Sequence, residues 1–355
     1  MARLSIIGTS RSFSKAVAEL SLRAARIWWS STWTAAAIQT NERYVPQNVT
    51  ARRLHRFQQG TNTLTLLGVA ADLGHVEIGQ LMLSRGACPR GDPPALLVAL
   101  CNNQPQFVDL LLKRGTGAVV SDQDKKHCMR LAALEGDRDK ATRRALMEAL
   151  VGNGLSVDMR VDCSLNTVLH RAVKYRVDSL ELLMDLGADV NAQNRHGATP
   201  LILACRGNNL EAAQIILSSG KADLCRTTHE GSSALHEAVN AGCGALMKLL
   251  ILYGSPVNRA REDGMTPLDV ALEIVQEHGT DYLDLVALLI QHGATLKHWT
   301  PHKLFARCCE AVMEGIEDLV ELYLKNGCDP NDHSVSSNWV STSQSYYVCL
   351  RRMRA

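Results

Sequence analysis

Four short segments of this chain recur at a near-constant interval: Thr167-Val168-Leu169-His170, Thr199-Pro200-Leu201-Ile202, Ser233-Ala234-Leu235-His236 and Thr266-Pro267-Leu268-Asp269. Their spacings are 32 (199−167), 34 (233−199) and 33 (266−233) residues. A period of this size means that one small supersecondary unit is copied and stacked, because a unit that short cannot bury its apolar face alone. The chain is therefore expected to form a linear array held by nearest-neighbour interfaces, with no single central core.

A second landmark keeps step with the first. An Ala and a closing Gly stand 16 apart in Ala70/Gly86, Ala99/Gly115, Ala204/Gly220, Ala238/Gly254 and Ala311/Gly327, 15 apart in Ala172/Gly187, and 22 apart in Ala132/Gly154 and Ala271/Gly293. This register gives eight units over roughly 61–331, strongest over 167–296, with the first three and the last carried by register more than by motif. The pattern resembles the ankyrin repeat, in which a Thr-Pro-Leu-His-like start leads to an Ala, a second Leu-rich helix and a Gly-Ala-Asp ending. The clearest copy runs from Thr199 to Gly220, and the best-kept ending from Leu182 to Asn191. The resemblance implies an all-α ankyrin-repeat solenoid of stacked helix-turn-helix units with finger loops. It also implies that His170 and His236 tie each hairpin to its neighbour by hydrogen bonds.

Each signature residue has a physical job. Thr167, Thr199, Ser233 and Thr266 suit helix N-caps, where a side-chain oxygen takes up an otherwise unpaired amide. Pro200 and Pro267 suit the first helical position, where no amide bond is lost. Leu169, Leu201, Leu235 and Leu268 are expected to face the partner helix, while Ala172, Ala204, Ala238 and Ala271 let helices approach closely. Gly187, Gly220, Gly254 and Gly293 suit left-handed helix endings.

Composition narrows the function. The 355 residues carry 38 basic and 36 acidic side chains, a net charge of +2, which argues against nucleic acid or a membrane surface as partner on global electrostatics. Eleven cysteines, an odd number with no Cys-x-x-Cys pair, read as reduced thiols and point to cytosol or nucleus. No run of 18 apolar residues occurs, so no membrane span is expected. Nucleophile and phosphate-loop motifs are missing, and Gly242-Cys243-Gly244 falls in the loop between two repeat helices. His298, His302, Cys308 and Cys309 have a passing metal-ligand look, but Pro301 breaks the helix face that His298 and His302 would share. No enzyme activity, cofactor or metal is therefore expected.

What remains is surface for a protein or peptide partner. In the family that this chain resembles, first helices and finger loops line a concave groove. By register this places Arg171, Lys174, Tyr175, Arg206, Glu237, Asn240 and Glu273 on helices, and Arg195, His196, Arg226, His229, Arg259 and Arg261 on fingers. Tyr175, Arg206 and Arg195 are the expected anchors, since Arg and Tyr are favoured at interfaces. Residues 221–232 and 255–265 each balance two cations with two carboxylates, so a mixed-charge surface is expected and not a basic groove. Asn191, in Asp189-Val190-Asn191, resembles substrates of the asparaginyl hydroxylase that modifies ankyrin proteins; the alternative is that it turns the chain through a side-chain to backbone bond.

Six-residue insertions around Glu135 to Thr142 and Gln276 to Tyr282 either lengthen a helix and loop or protrude as partner contacts. The finger after Gly86 is shortened, since Pro94 occupies the start slot, so a continuous finger surface is expected only after the second unit. Residues 1–60 are basic and partly helical, with Trp28, Trp29 and Trp33 clustered. A cap on the first repeat, a mitochondrial transit peptide, disorder and a misassigned gene start all stay open. The Asn48-Val49-Thr50 sequon is irrelevant in a reducing compartment. Residues 332–355 are expected to be a disordered tail, in which Tyr347 to Arg352 is at best a fragment of a SOCS box. The function expected is a protein-interaction scaffold or adaptor; the alternative is a substrate-recruiting subunit of a ubiquitin ligase.

Overall fold

The computed structural model describes residues 65–89, 94–114, 121–136, 138–278, 282–296 and 298–329. The expectations for 1–60 and 332–355 lie outside them. Two compact units divide the chain, one ending at Ser121 and one beginning at Asp122.

The first unit contains two helix pairs: α1 (Leu66–Leu73) with α2 (Val76–Ser84), and α3 (Ala95–Cys101) with α4 (Pro105–Lys113). Helix α1 packs on α3 and α2 on α4. The start of α1 carries a cap, Thr65 Oγ1 accepting from the Gly68 amide at 3.1 Å. Pro94 precedes α3 without a side-chain cap, as its lack of a hydroxyl requires.

Six pairs make up the second unit: α5 (Asp122–Leu134) and α6 (Lys140–Gly152), α7 (Val168–Tyr175) and α8 (Leu180–Asp185), α9 (Pro200–Arg206) and α10 (Leu210–Ser218), α11 (Ala234–Asn240) and α12 (Gly244–Leu252), α13 (Pro267–His278) and α14 (Leu283–Gln291), α15 (Pro301–Glu314) and α16 (Glu317–Lys325). First helices stack in one row, α5 on α7, α7 on α9, α9 on α11 and α11 on α13, while second helices form another row from α8 to α14. Among the described residues there is no strand, and the fingers reduce to isolated bridges, Arg160 with Thr167 and Thr227 with Ser233.

The period seen in the sequence is thus a period of helix pairs. Thr167, Thr199 and Ser233 accept from the amide three residues on, Thr266 does the same for Asp269, and Pro200 and Pro267 open their helices. All eight register alanines are buried, from Ala70 to Ala311, so no side chain larger than a methyl separates the packed helices there. The closing glycines Gly86, Gly154, Gly187, Gly220, Gly254, Gly293 and Gly327 have φ between 66° and 96°, the left-handed ending that ejects the chain into the finger.

The insertion at Glu135 to Thr142 lengthens helices: α5 and α6 have 13 residues each, against 7 and 9 in α9 and α10. Its carbonyl end is clasped by arginines. Buried Arg143 donates to Ala133 O at 2.8 Å, Arg138 to Glu135 O at 2.5 Å and Arg176 to Gly136 O at 2.7 Å, and Ser179 Oγ joins at Ala133 O. Cations belong at this negative end of a helix dipole, and two of the four clasps come from the following repeat. Likewise, the insertion from Gln276 prolongs α13 to 12 residues.

Candidate functional site

Consecutive fingers are laced into one platform. Arg195 N donates to Ser164 O at 2.8 Å, His229 N to His196 O at 3.0 Å and Glu262 N to Glu230 O at 3.2 Å. The approach is so close that a Cβ on Gly197 would lie 2.8 Å from His229 N, and one on Gly231 2.7 Å from Glu262 N. Only glycine fits these tips. Side chains add rungs: Gln193 Nε2 donates to Gly197 O and Thr227 O, Asn191 Nδ2 to Lys221 O and Asn258 Nδ2 to Gly293 O.

Asn191 is not the residue that turns its own finger. Asp189 does so, accepting from the Asn191 amide at 2.9 Å, while the Asn191 carboxamide spans to the next repeat and accepts from Asp223 N at 2.7 Å. Both ends of that amide are engaged.

Along the platform Arg195, His196, His229 and Arg259 are exposed, and so are Lys174, Tyr175, Asn240 and Glu273 on the first helices. Tyr175 is 51% exposed, and its ring has Arg171 Cζ at 4.6 Å and Lys174 Nζ at 5.3 Å. Arg171 also pairs with Asp162 of the preceding finger at 3.7 Å. Arg226 and Arg261 are tied to Asp223 and Asp263, which bears out the expectation of mixed charge for these two fingers.

One expected groove residue is corrected, and a second has a further role. Glu237 is buried, 7% exposed, and does not face solvent. Arg206 grips it from the previous repeat, Nε to Oε2 at 2.9 Å and Nη2 to Oε1 at 3.0 Å, with Ser232 Oγ donating at 2.8 Å. Arg206 is therefore a clamp between repeats, its bidentate edge turned to Glu237, while the side chain stays exposed. The sequence hid this because the two residues lie 31 apart in the chain (237−206).

His170 and His236 perform the tie that the resemblance implied. His170 Nε2 meets Ala198 O at 3.1 Å and Nδ1 meets Thr167 N at 3.2 Å; His236 meets Met265 O and Ser233 N in the same way. A carbonyl can only accept and an amide only donate, so each ring is neutral with its proton on Nε2. Burial pushes the His170 pKa down from 6.5 to about 4, aided by the Arg160 charge; burial also lowers His236, aided by Arg261. A depressed histidine holds its full stabilisation above the unfolded value and loses it as pH falls toward the folded one. Stability is thus expected to drop between pH 6.5 and about 4, by about 2 kcal/mol at about pH 5 from His170 alone. Thermal melts across this window check it, with His170→Ile flattening the profile, since Ile202 already occupies the equivalent slot. A flat parental profile would sink the assignment.

The fourth slot of the next repeat inverts this scheme. Buried Asp269 accepts from Thr266 N at 2.7 Å, from His298 Nε2 at 2.8 Å and from the Trp299 indole. Trp299 stacks on Tyr323 with Lys303 on its ring, so the tie to the last repeat is made by side chains of that repeat. His298 is committed there, Pro301 opens α15, and among the described residues no group of three His, Cys, Asp or Glu could hold a metal.

Stacked helix pairs with a laced finger platform beside them define a helical-repeat recognition scaffold. The sequence family described as ankyrin repeats (3 copies) matches residues 96–194, 129–228 and 201–300, which together cover more than half of the chain. The chain belongs to the ankyrin-repeat family. It is 27% identical over 271 residues to the ankyrin repeat and KH domain-containing protein mask-1 of Caenorhabditis elegans, covering 74% of this chain and 10% of that protein. It is 32% identical over 193 residues to the B-cell lymphoma 3 protein homolog of Mus musculus, covering 52% of this chain and 42% of that one. With the human ankyrin repeat and SOCS box protein 16 it shares 29% identity over 241 residues, 64% of this chain and 52% of that protein. The chain thus spans from a tenth to about half of these relatives. Ankyrin repeats generally mediate protein–protein interaction and are generally not enzymatic, though relatives carry other domains. No helix among the described residues is long and apolar enough to cross a membrane.

Proposed function

We propose that this chain is a protein-recognition scaffold or adaptor that binds a peptide or domain along the fingers and first helices of repeats four to seven. The laced platform supports this most directly: its backbone groups are paired between fingers, which leaves Tyr175, Lys174, Arg195, His196, His229 and Arg259 displayed on a pre-ordered surface. Reduced thiols such as Cys163, Cys205, Cys225 and Cys243 fit the cytosol or nucleus as its place. The second reading, a substrate-recruiting subunit of a ubiquitin ligase, draws on the similarity to the ankyrin repeat and SOCS box protein.

Immunoprecipitation of the full chain with mass spectrometry tests both. Cullin and elongin subunits among the captured proteins support the second reading, and their absence favours the plain scaffold. Replacing Tyr175 and Arg195 together with Ala is expected to change stability by no more than about 0.5 kcal/mol while weakening capture. Capture at parental strength would move the interface to the convex face, the insertions or the ends. The same digests test Asn191: hydroxylation requires its finger to open locally, and a peptide heavier by one oxygen is the expected sign.

A further inference from the structure

Leu165 breaks the finger pattern. Two residues before the capping Thr or Ser, the three following fingers have Gly197, Gly231 and Gly264, with φ from 73° to 83°; the same slot here holds Leu165 at φ 56°. A left-handed conformation is strained for a leucine, and the side chain gains little burial in exchange, being 47% exposed. Glycine would make the same turn without strain and display nothing. Strain retained at an exposed apolar residue points to a use for that residue.

Its surroundings are held in place. Arg160 Nη1 donates to Leu165 O at 2.8 Å and Gln193 O at 2.6 Å, and Ser164 O accepts the Arg195 amide, so Arg195 begins beside the tip. Asp162, in the same finger, reaches Arg171, which covers Tyr175 together with Lys174. Leu165 N donates to Asp162 O, so the two exposed apolar groups, Leu165 and Tyr175, are linked through Asp162 and Arg171. Among the described residues, Asp162 is the one carboxylate within ion-pair distance of Arg160, Arg171, Lys174 or Arg195. Farther along, three of the four finger and first-helix arginines, Arg206, Arg226 and Arg261, have carboxylates of their own. At the Leu165 end, Asp158 and Asp189 stand in the same fingers, so the four cations exceed three carboxylates by one, and among the described residues Lys174 and Arg195 have no carboxylate at ion-pair distance.

We infer that Leu165, Tyr175, Lys174 and Arg195 form a subsite for an acidic peptide segment that carries a bulky apolar side chain. Its carboxylates meet Lys174 and Arg195, and its apolar group lies against Leu165 and Tyr175. The subsite rests on the recognition face proposed above and adds the chemistry of the partner and the end at which it is anchored.

Selection of short random peptides on the full chain tests it. Asp or Glu combined with Leu, Ile, Met or Phe is the expected enrichment, and a labelled selected peptide should lose affinity as salt is raised. Leu165→Gly is expected to weaken that peptide about tenfold while the melting temperature stays level or rises, because strain is relieved. A leucine that served only the fold would instead lower the melting temperature and leave binding alone. Lys174→Glu with Arg195→Glu is expected to weaken binding at least as much. Selected peptides without the acidic and apolar combination, or ones that bind Leu165→Gly and the charge-reversed variant at parental strength, overturn the subsite. If such peptides still lose affinity with His229→Ala and Arg259→Ala, the recognition face stands and only this subsite falls. Binding indifferent to every finger and first-helix variant removes both.

Discussion

Leu235→Asp is expected to unfold the central repeats, with a loss of about 4 kcal/mol or more, and Leu201→Asp to do nearly the same. Leu235 has no exposed surface and Leu201 only 3%. Helix α11 lies between α9 and α13, so an aspartate at 235 would face two neighbouring helices. The substitution removes a leucine's worth of apolar burial, about 2 kcal/mol, and adds an unpaired carboxylate that has no donor to meet. Damage is not confined to one repeat, because each repeat draws its stability from the interfaces on both sides. Circular dichroism melts and urea titrations measure the loss. Parental melts for both variants would mean that the helix register is wrong.

Arg206→Ala is expected to destabilise the chain by about 2 kcal/mol, although Arg206 is itself exposed and an exposed side chain without a buried partner would cost almost nothing. The reason is the partner left behind. Glu237 keeps only Ser232 as donor while staying buried. In the parent, burial pulls the Glu237 pKa upward, but hydrogen bonds from Arg206 and Ser232 and the Arg206 charge outweigh it, so the net shift is down from 4.5. A depressed carboxyl contributes its stability above the unfolded value and loses it as pH falls through the folded one. The gap between parent and Arg206→Ala should therefore narrow as pH falls through the lowered folded value of the parent, where the carboxylate becomes protonated in both. The histidine effect is common to parent and variant and cancels in their difference, so the two effects separate in one pH series. Equal stability of parent and variant at neutral pH would show that the clamp contributes nothing.

The architecture was legible in the chain because stacking imposes a period. Thr caps, Leu positions, buried alanines and left-handed glycines each answer a local requirement of one helix pair, and a local requirement repeated every 32 to 34 residues leaves a trace that reading along the sequence recovers. Even the exposed part of the candidate face, with Lys174, Tyr175, Arg195, His196, His229 and Arg259, followed from register alone. Leu165 was open to the same logic, since Gly197, Gly231 and Gly264 occupy its slot two residues before the capping Thr or Ser. What the sequence determined by itself was therefore which positions are helical, which are buried within a repeat and, Glu237 apart, which reach solvent.

Pairing between repeats was decided only by the tertiary structure. Arg206 and Glu237, Arg176 and the end of α5, Asn191 and Asp223, and Asp269 with His298 and Trp299 are partners about 30 to 40 residues apart. Nothing in the local pattern of either partner names the other. A charged or amide side chain at a surface register position is read as free unless the neighbouring repeat is brought against it, and the geometry of stacking alone decides which of these groups clamp the solenoid and which remain for a partner.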